Sequence, residues 1–169
     1  MLNPVRTKSV LDTFGKRVQQ QARTNLTKGK HKASGGLYES TKYELSTGPK
    51  SFSLFFELED YWEFQDKGVS GTETKYNTPF SYKTKKPPAK VFEKWAKQKG
   101  IKPRGKNGQF TSFKSFGFAV ANSIFKKGIK PTNFFSKPFE NEFKKLPEDL
   151  VRAYALDVEN FIDFTLNKK

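Results

Sequence analysis

The stretch from Phe113 to Phe143 constrains this chain more than any other. Phe113, Phe116, Val120 and Ile124 recur at helical spacing and mark one face of an α-helix. Phe118, Ala121 and Phe125 mark a second face. A helix that is apolar over most of its circumference must be covered on more than one side. One cover is its own sheet; the other is the rest of the chain or a neighbouring subunit. The spacing predicts a helix over 113–127. Lys126 and Lys127 suit the negative end of its dipole, and Gly128 stands where a left-handed cap would sit. A Phe-rich segment punctuated by prolines follows.

At 169 residues the chain is long enough for one domain with its own core. It has no cysteine, which excludes a disulfide framework and a thiolate metal site. Its 18 phenylalanines supply the core bulk that a low aliphatic content does not. No apolar run reaches the ~18 residues of a membrane-spanning helix. The start, Met-Leu-Asn-Pro-Val-Arg, lacks the basic-then-apolar order of a signal peptide, so the chain is expected to stay in the cytoplasm where it is made.

The net charge of +15 is unevenly spread. Residues 1–36 carry eight basic side chains and one acidic; residues 37–66 carry two basic and seven acidic. Residues 67–114 return to 13 basic and two acidic, and 115–169 hold nine and seven. An acidic block between two basic ones suits a surface for a polyanion. It equally suits one subunit's acidic patch meeting the next subunit's basic patch.

A first helix is expected over 9–27, opened by a Ser9-to-Asp12 capping pattern, with Leu11, Phe14, Val18, Ala22 and Leu26 as its apolar stripe. A β-hairpin is expected over 37–58, turning across Thr47 to Lys50. Its second strand alternates Phe52, Leu54, Phe56 and Leu58 on one face, with Tyr43 and Leu45 added from the first strand. Asp60 to Gly68 fits either a third strand or a short helix. Residues 69–86 form a basic loop without periodicity, functional or disordered by its length. A helix over 88–99 places Val91, Phe92 and Trp95 inward and stops at Gly100. A second basic loop spans 101–109. The last helix, 147–166, starts at Pro147 with Leu150, Tyr154, Val158 and Phe161 as its stripe, widened by Val151, Ala155 and Ile162.

Little here could do chemistry. One histidine, His31 in a lysine-rich loop, no cysteine and no carboxylate pair at a useful spacing leave neither acid–base nor nucleophilic machinery. Gly105-Lys106-Asn107-Gly108 lacks the spacing of a phosphate-binding loop. The acidic residues at 57–66 suit a partner's lysines better than a metal. The chain reads as a non-enzyme without cofactor or metal.

Three patches carry a resemblance. They are Ala33-Ser-Gly-Gly-Leu-Tyr-Glu-Ser-Thr41, Asp60-Tyr-Trp-Glu-Phe-Gln-Asp-Lys-Gly68, and Gly128-Ile-Lys-Pro-Thr-Asn-Phe-Phe-Ser-Lys-Pro-Phe-Glu140. Together they resemble the tail-completion and neck (head–tail connector) proteins of tailed bacteriophages, the family of the gene-ten product of a lambda-like phage. That family runs from an N-terminal helix to a Thr-Gly-x-Leu-x-x-Ser turn, strands, a Tyr-x-x-x-Glu-Phe-Gly patch and a late Pro-x-Phe-Leu-x-Pro-Ala segment. Gly36, Leu37 and Ser40 fit the turn, and Glu63-Phe64 fits the second patch, although Gln65 replaces its glycine. Phe134 to Phe139 fits the third, with Phe in place of Leu and Ala. Order and spacing agree over about two-thirds of the chain. The Phe-rich helix before the third patch looks most like the versions carried by crAss-like phages.

The resemblance implies an α+β fold, a small antiparallel sheet flanked by N-terminal, central and C-terminal helices. It also implies a virion protein of the neck or tail, made in the host cytoplasm, that forms a ring around the DNA channel. Its partners would be copies of itself, other neck, portal-adaptor or tail proteins, and the genomic DNA in the lumen, with no membrane. A head-to-tail ring needs two different complementary patches on one subunit. The expected packing residues, some of them between subunits, are Phe116, Phe118, Val120, Phe125, Phe134 and Phe135. Lys83, Lys85, Lys86, Lys102, Arg104 and Lys106 would face DNA or an acidic neighbour, since phosphate contact is sequence-blind. Glu57, Glu59, Asp60, Glu63 and Asp66 would meet an adjacent subunit's basic groups. The alternative is a sequence-nonspecific nucleic-acid-binding protein, with Tyr61, Trp62 and phenylalanines stacking on bases; no helix-turn-helix, zinc-finger or RRM signature accompanies it.

Overall fold

The computed structural model describes residues 4–29, 35–48, 51–105 and 107–167. Among these the fold is α+β, with seven helices and a two-stranded antiparallel sheet. The helices are α1 (Val5–Lys28), α2 (Gly36–Ser40), α3 (Trp62–Lys67), α4 (Ala89–Gln98), α5 (Phe113–Lys127), α6 (Ser136–Phe143) and α7 (Leu146–Leu166). The strands are β1 (Lys42–Thr47) and β2 (Phe52–Glu57). The chain forms two compact units. Unit 1 comprises Met1–Leu26, Glu39–Leu58 and Phe134–Lys169; unit 2 comprises Thr27–Tyr38 and Glu59–Asn133.

Unit 1 is built on phenylalanine. Phe135, Phe139 and Phe143 stand four residues apart at one face of α6 and meet Phe14 of α1 and Phe56 of β2. Centroid separations run from 5.3 Å for Phe56–Phe135 to 6.5 Å for Phe14–Phe143, mostly edge-to-face. That is the geometry the ring quadrupole favours, worth about 0.5–1.5 kcal/mol per pair beyond the buried area. The expected stripe of α1 is in place, with Phe14, Val18, Ala22 and Leu26 buried. The hairpin register sets Tyr43 opposite Phe56 and Leu45 opposite Leu54, so the inward face is as the alternation implies. Tyr43 lies across α1 at Gly15, where a Cβ would overlap its ring, and its hydroxyl donates to Asp12 Oδ1 at 3.0 Å.

Several boundaries differ from expectation. Residues 37–40 are helical, part of α2, and the first strand starts only at Lys42. Asp60 to Gly68 resolves to the short helix α3. The Pro-punctuated segment after Asn133 holds a helix, α6, with Pro138 in its first turn, where its missing N–H costs nothing. The first helix begins at Val5, not Ser9, and its first turn contains no acid.

The start of α1 is capped from the far end of the chain. Asp157 of α7 is buried, and its carboxylate accepts from the backbone N–H of Arg6 at 3.0 Å, the N–H of Thr7 at 2.9 Å and the Thr7 hydroxyl at 2.8 Å. Two of the four N–H groups that a helix start leaves unpaired are thereby satisfied. Burial on its own pushes the Asp157 carboxyl up, but the hydrogen bonds from Thr7 and Arg6 outweigh it and hold the group below the usual carboxylate range.

This cap also rotates α7 away from the expected stripe. Leu146, Ala153 and Asp157 face inward with Leu150 half-buried, while Tyr154 and Phe161 of the expected stripe are exposed, as are Val151 and Ile162. Replacement of Asp157 by Asn should lower stability by about 1–3 kcal/mol near neutral pH. Because the folded-state value is depressed, the stabilisation is complete above the ordinary carboxylate range and is lost as pH falls through the depressed value. Urea unfolding near pH 7 and below about pH 3 should therefore show the gap between wild type and Asp157→Asn closing with acid.

Candidate functional site

Unit 2 holds most of the charge: 19 basic and six acidic residues, against 13 and 11 in unit 1. Its frame is α5 packed on α4. The α5 residues that are buried are small, Gly117 and Ala121; a Cβ on Gly117 would come within 2.7 Å of the Ala89 carbonyl oxygen. Close backbone approach, not phenylalanine bulk, makes this contact. On α4, Ala96 is buried and Phe92 and Trp95 are half-buried, while Val91 is 56% exposed and not inward as its spacing suggested.

The aperiodic segment 69–86 is ordered. It closes the C-terminal end of α5, whose last carbonyls have no intrahelical donor. Thr72 N–H donates to the Phe125 carbonyl, and the N–H groups of Glu73 and Thr74 donate to that of Lys126. Val69 and Ile129 exchange both backbone bonds, and Lys126 pairs with Glu73 at 2.8 Å. The two strands of this junction touch backbone to backbone. A Cβ on Gly71 would fall on the Lys126 carbonyl oxygen, and Gly128, at φ 75°, would set one on the Val69 carbonyl oxygen. Gly128 thus ends α5 with the expected positive φ, for a reason of space as well as of turn.

Within unit 2, parts of the three patches singled out in the sequence are joined, through Leu37, Tyr61, Gln65, Asp66, Thr132 and Asn133. Thr132 and Asn133 N–H donate to the Asp66 carbonyl, the Thr132 hydroxyl donates to the Gln65 carbonyl at 2.7 Å, and Tyr61 hydrogen-bonds the backbone of Leu37. Around this knot lies a cleft of about 650 Å³, lined by Tyr61, Phe64, Pro79, Phe80, Tyr82 and Lys83 among others. The Phe64 and Phe80 rings pack at 4.7 Å. Burial, with the charge of Glu59 added for Tyr61, pushes both tyrosine hydroxyls up, so they stay protonated hydrogen-bonding groups near neutral pH. Ser81, Tyr82 and Lys83 also belong to a second groove of about 510 Å³ running to Pro88 past Lys85 and Lys86. An aromatic floor thus runs directly into a lysine-lined channel. It can stack, hydrogen-bond and neutralise anions.

The other expected site residues are scattered. Lys86 donates to Asn122 Oδ1 at 2.7 Å and lies 5.6 Å from the Phe125 centroid. Arg104 stacks on Phe110 at 4.7 Å and donates to the Gly108 carbonyl, and Lys102 is exposed. Lys106 and His31 lie outside the described residues. Glu57, Glu59 and Asp60 are exposed, and Glu63 pairs with Lys67 at 3.5 Å. Asp66 is fully buried, so it cannot be part of an acidic surface as expected. Phe116, Val120 and Phe125 are half-buried and Phe118 is 57% exposed. Phe134 and Phe135 are buried in unit 1, Phe135 against Phe56 and Phe139, and are not available to a subunit interface. Phe80 and Tyr82 were missed because the loop has no period; the signal that could have marked it was Gly71 and Gly128, glycines where two backbones approach.

Among the described residues no group of three His, Asp or Glu could hold a metal ion, and no helix is long and apolar enough to cross a membrane. Compared with known proteins, the chain matches no family model, no curated protein and no solved structure.

Replacing Gly71 by Ala should cost more than about 3 kcal/mol, because the Cβ meets backbone that cannot yield. Gly108→Ala, at φ 75° with open space around it, should cost only about 1 kcal/mol. Thermal unfolding of the two variants side by side tests the difference.

Proposed function

We propose that this chain is a non-enzymatic structural subunit of a tailed-phage virion that forms a closed ring in the neck or tail around the DNA channel, completing the tail or joining it to the head. One observation carries this reading: large apolar side chains are exposed on two separate helices, Phe118 of α5 at 57% and, on α7, Val151 at 71%, Tyr154 at 53% and Ile162 at 48%. Exposed apolar rows of this kind mark interaction surfaces. A row on α7 and a lone exposed phenylalanine on α5 are two different apolar patches on one chain, which suits head-to-tail contacts that close into rings when the rotation allows. The resemblance of the three patches to neck and tail-completion proteins points the same way. Copies of itself, neighbouring portal-adaptor, neck or tail proteins, and DNA passing the lysine-rich surface of unit 2 are the partners. Cryo-electron microscopy of the phage particle that encodes this chain should place it in a closed ring of density in the neck or tail. Absence of the chain from purified particles would sink the reading.

The aromatic cleft that opens into the Lys83–Lys85–Lys86 groove favours a second reading, a sequence-nonspecific nucleic-acid-binding protein that stacks bases on Phe80 and Tyr82. Affinity for single-stranded DNA should then fall steeply with salt. The Lys83→Ala, Lys85→Ala double variant should shallow the log–log slope by about 1.5. A flat salt series rules this reading out.

A further inference from the structure

We propose that the outward apolar face of α7 docks on the Phe118 row of α5 in a second copy of this chain; the assignment rests on the ring reading above. On α7, Val151, Tyr154, Val158 and Ile162 fall on one side, roughly a quarter-turn or more from the inward Leu146, Ala153 and Asp157. The row from Val151 to Ile162 is about 16 Å long at 1.5 Å per residue. On α5, Lys114, Phe118 and Asn122 stand four residues apart in an exposed row about 12 Å long, with Lys86 held at its end through Asn122. The two rows are of comparable length; the α7 row offers several apolar side chains and the α5 row offers one, Phe118, between Lys114 and Asn122.

Charge decides which surface meets which. Helix α7 carries five acidic residues and one basic residue within a chain of net charge +15. Asp157 is buried beneath α1, and Glu148 is paired with Arg152 at 2.9 Å, which leaves Asp149, Glu159 and Asp163 exposed, the last two beside the apolar row. The Phe118 row is bordered by the exposed Lys114 and Lys86 in the unit with 19 basic and six acidic residues. Two α7 faces packed on each other would set acid against acid, a repulsion that selects against the isologous dimer. The acidic-apolar row on the basic-apolar row is attractive and heterologous, the contact type that builds a ring.

The chain contains no cysteine, so single cysteines report cleanly. Ile162→Cys and Phe118→Cys, both at exposed positions, would be purified separately, mixed and oxidised. The mixture should form a covalent dimer at least tenfold more abundantly than either variant alone; equal self-linking by Ile162→Cys, or no linking, overturns the assignment. In parallel, Glu159→Lys with Asp163→Lys should weaken self-association at least tenfold by sedimentation. Adding Lys86→Glu and Lys114→Glu to that variant should restore it. Self-association unchanged by the acidic reversals discards this surface and leaves the ring reading standing. Failure of the unaltered chain to self-associate also discards this surface, and the ring is then judged by the particle imaging alone.

Discussion

The ends of a helix leave polar backbone groups without partners, and much of this structure is the answer to that constraint. In unit 1 the start of α1 has no acid of its own, and Asp157, 150 positions from Thr7, supplies the carboxylate. In unit 2 the end of α5 is closed by the N–H groups of residues 72–74, and the carbonyl of Asp66 near the end of α3 accepts from Thr132 and Asn133. Each closure ties together segments far apart in sequence. Each also fixes a surface. Asp157 sets the rotation of α7 and so turns Val151 and Ile162 outward, and the closure of α5 holds Phe80 and Tyr82 beside the lysine groove.

The two units divide the labour by composition. Unit 1 is held by a cluster of phenylalanine rings and is nearly balanced in charge; unit 2 is held by small residues and backbone bonds and carries most of the excess positive charge. A rigid aromatic core suits a part that keeps its shape while offering a helix face to a neighbour. A basic surface with an aromatic cleft suits contact with a polyanion or with an acidic protein face. The proposed ring subunit would use both on one chain.

What was legible follows from period and from local chemistry. The stripe of α1, the alternation of β2 and the limits of α5 were readable because each is set by neighbours within a few residues. The stripe of α7 was misread because Tyr154 and Phe161 are as apolar as a core needs, while the inward face includes an aspartate that periodicity discounts. Asp66 was placed on the surface for the same reason, since a carboxylate in an acidic run gives no local sign that the backbone will enclose it. Phe80 and Tyr82 had no period to show them, and the groove they form exists only because residues 69–74 return to the end of α5.

By itself the sequence determined that this chain is a basic, phenylalanine-rich α+β protein, because composition and short-range spacing are properties of the chain alone. Tertiary structure decided which apolar faces are spent inside and which are left outside. That depends on where Asp157, Gly71 and Gly128 let distant backbones meet, and no window of neighbouring residues contains both partners of such a contact.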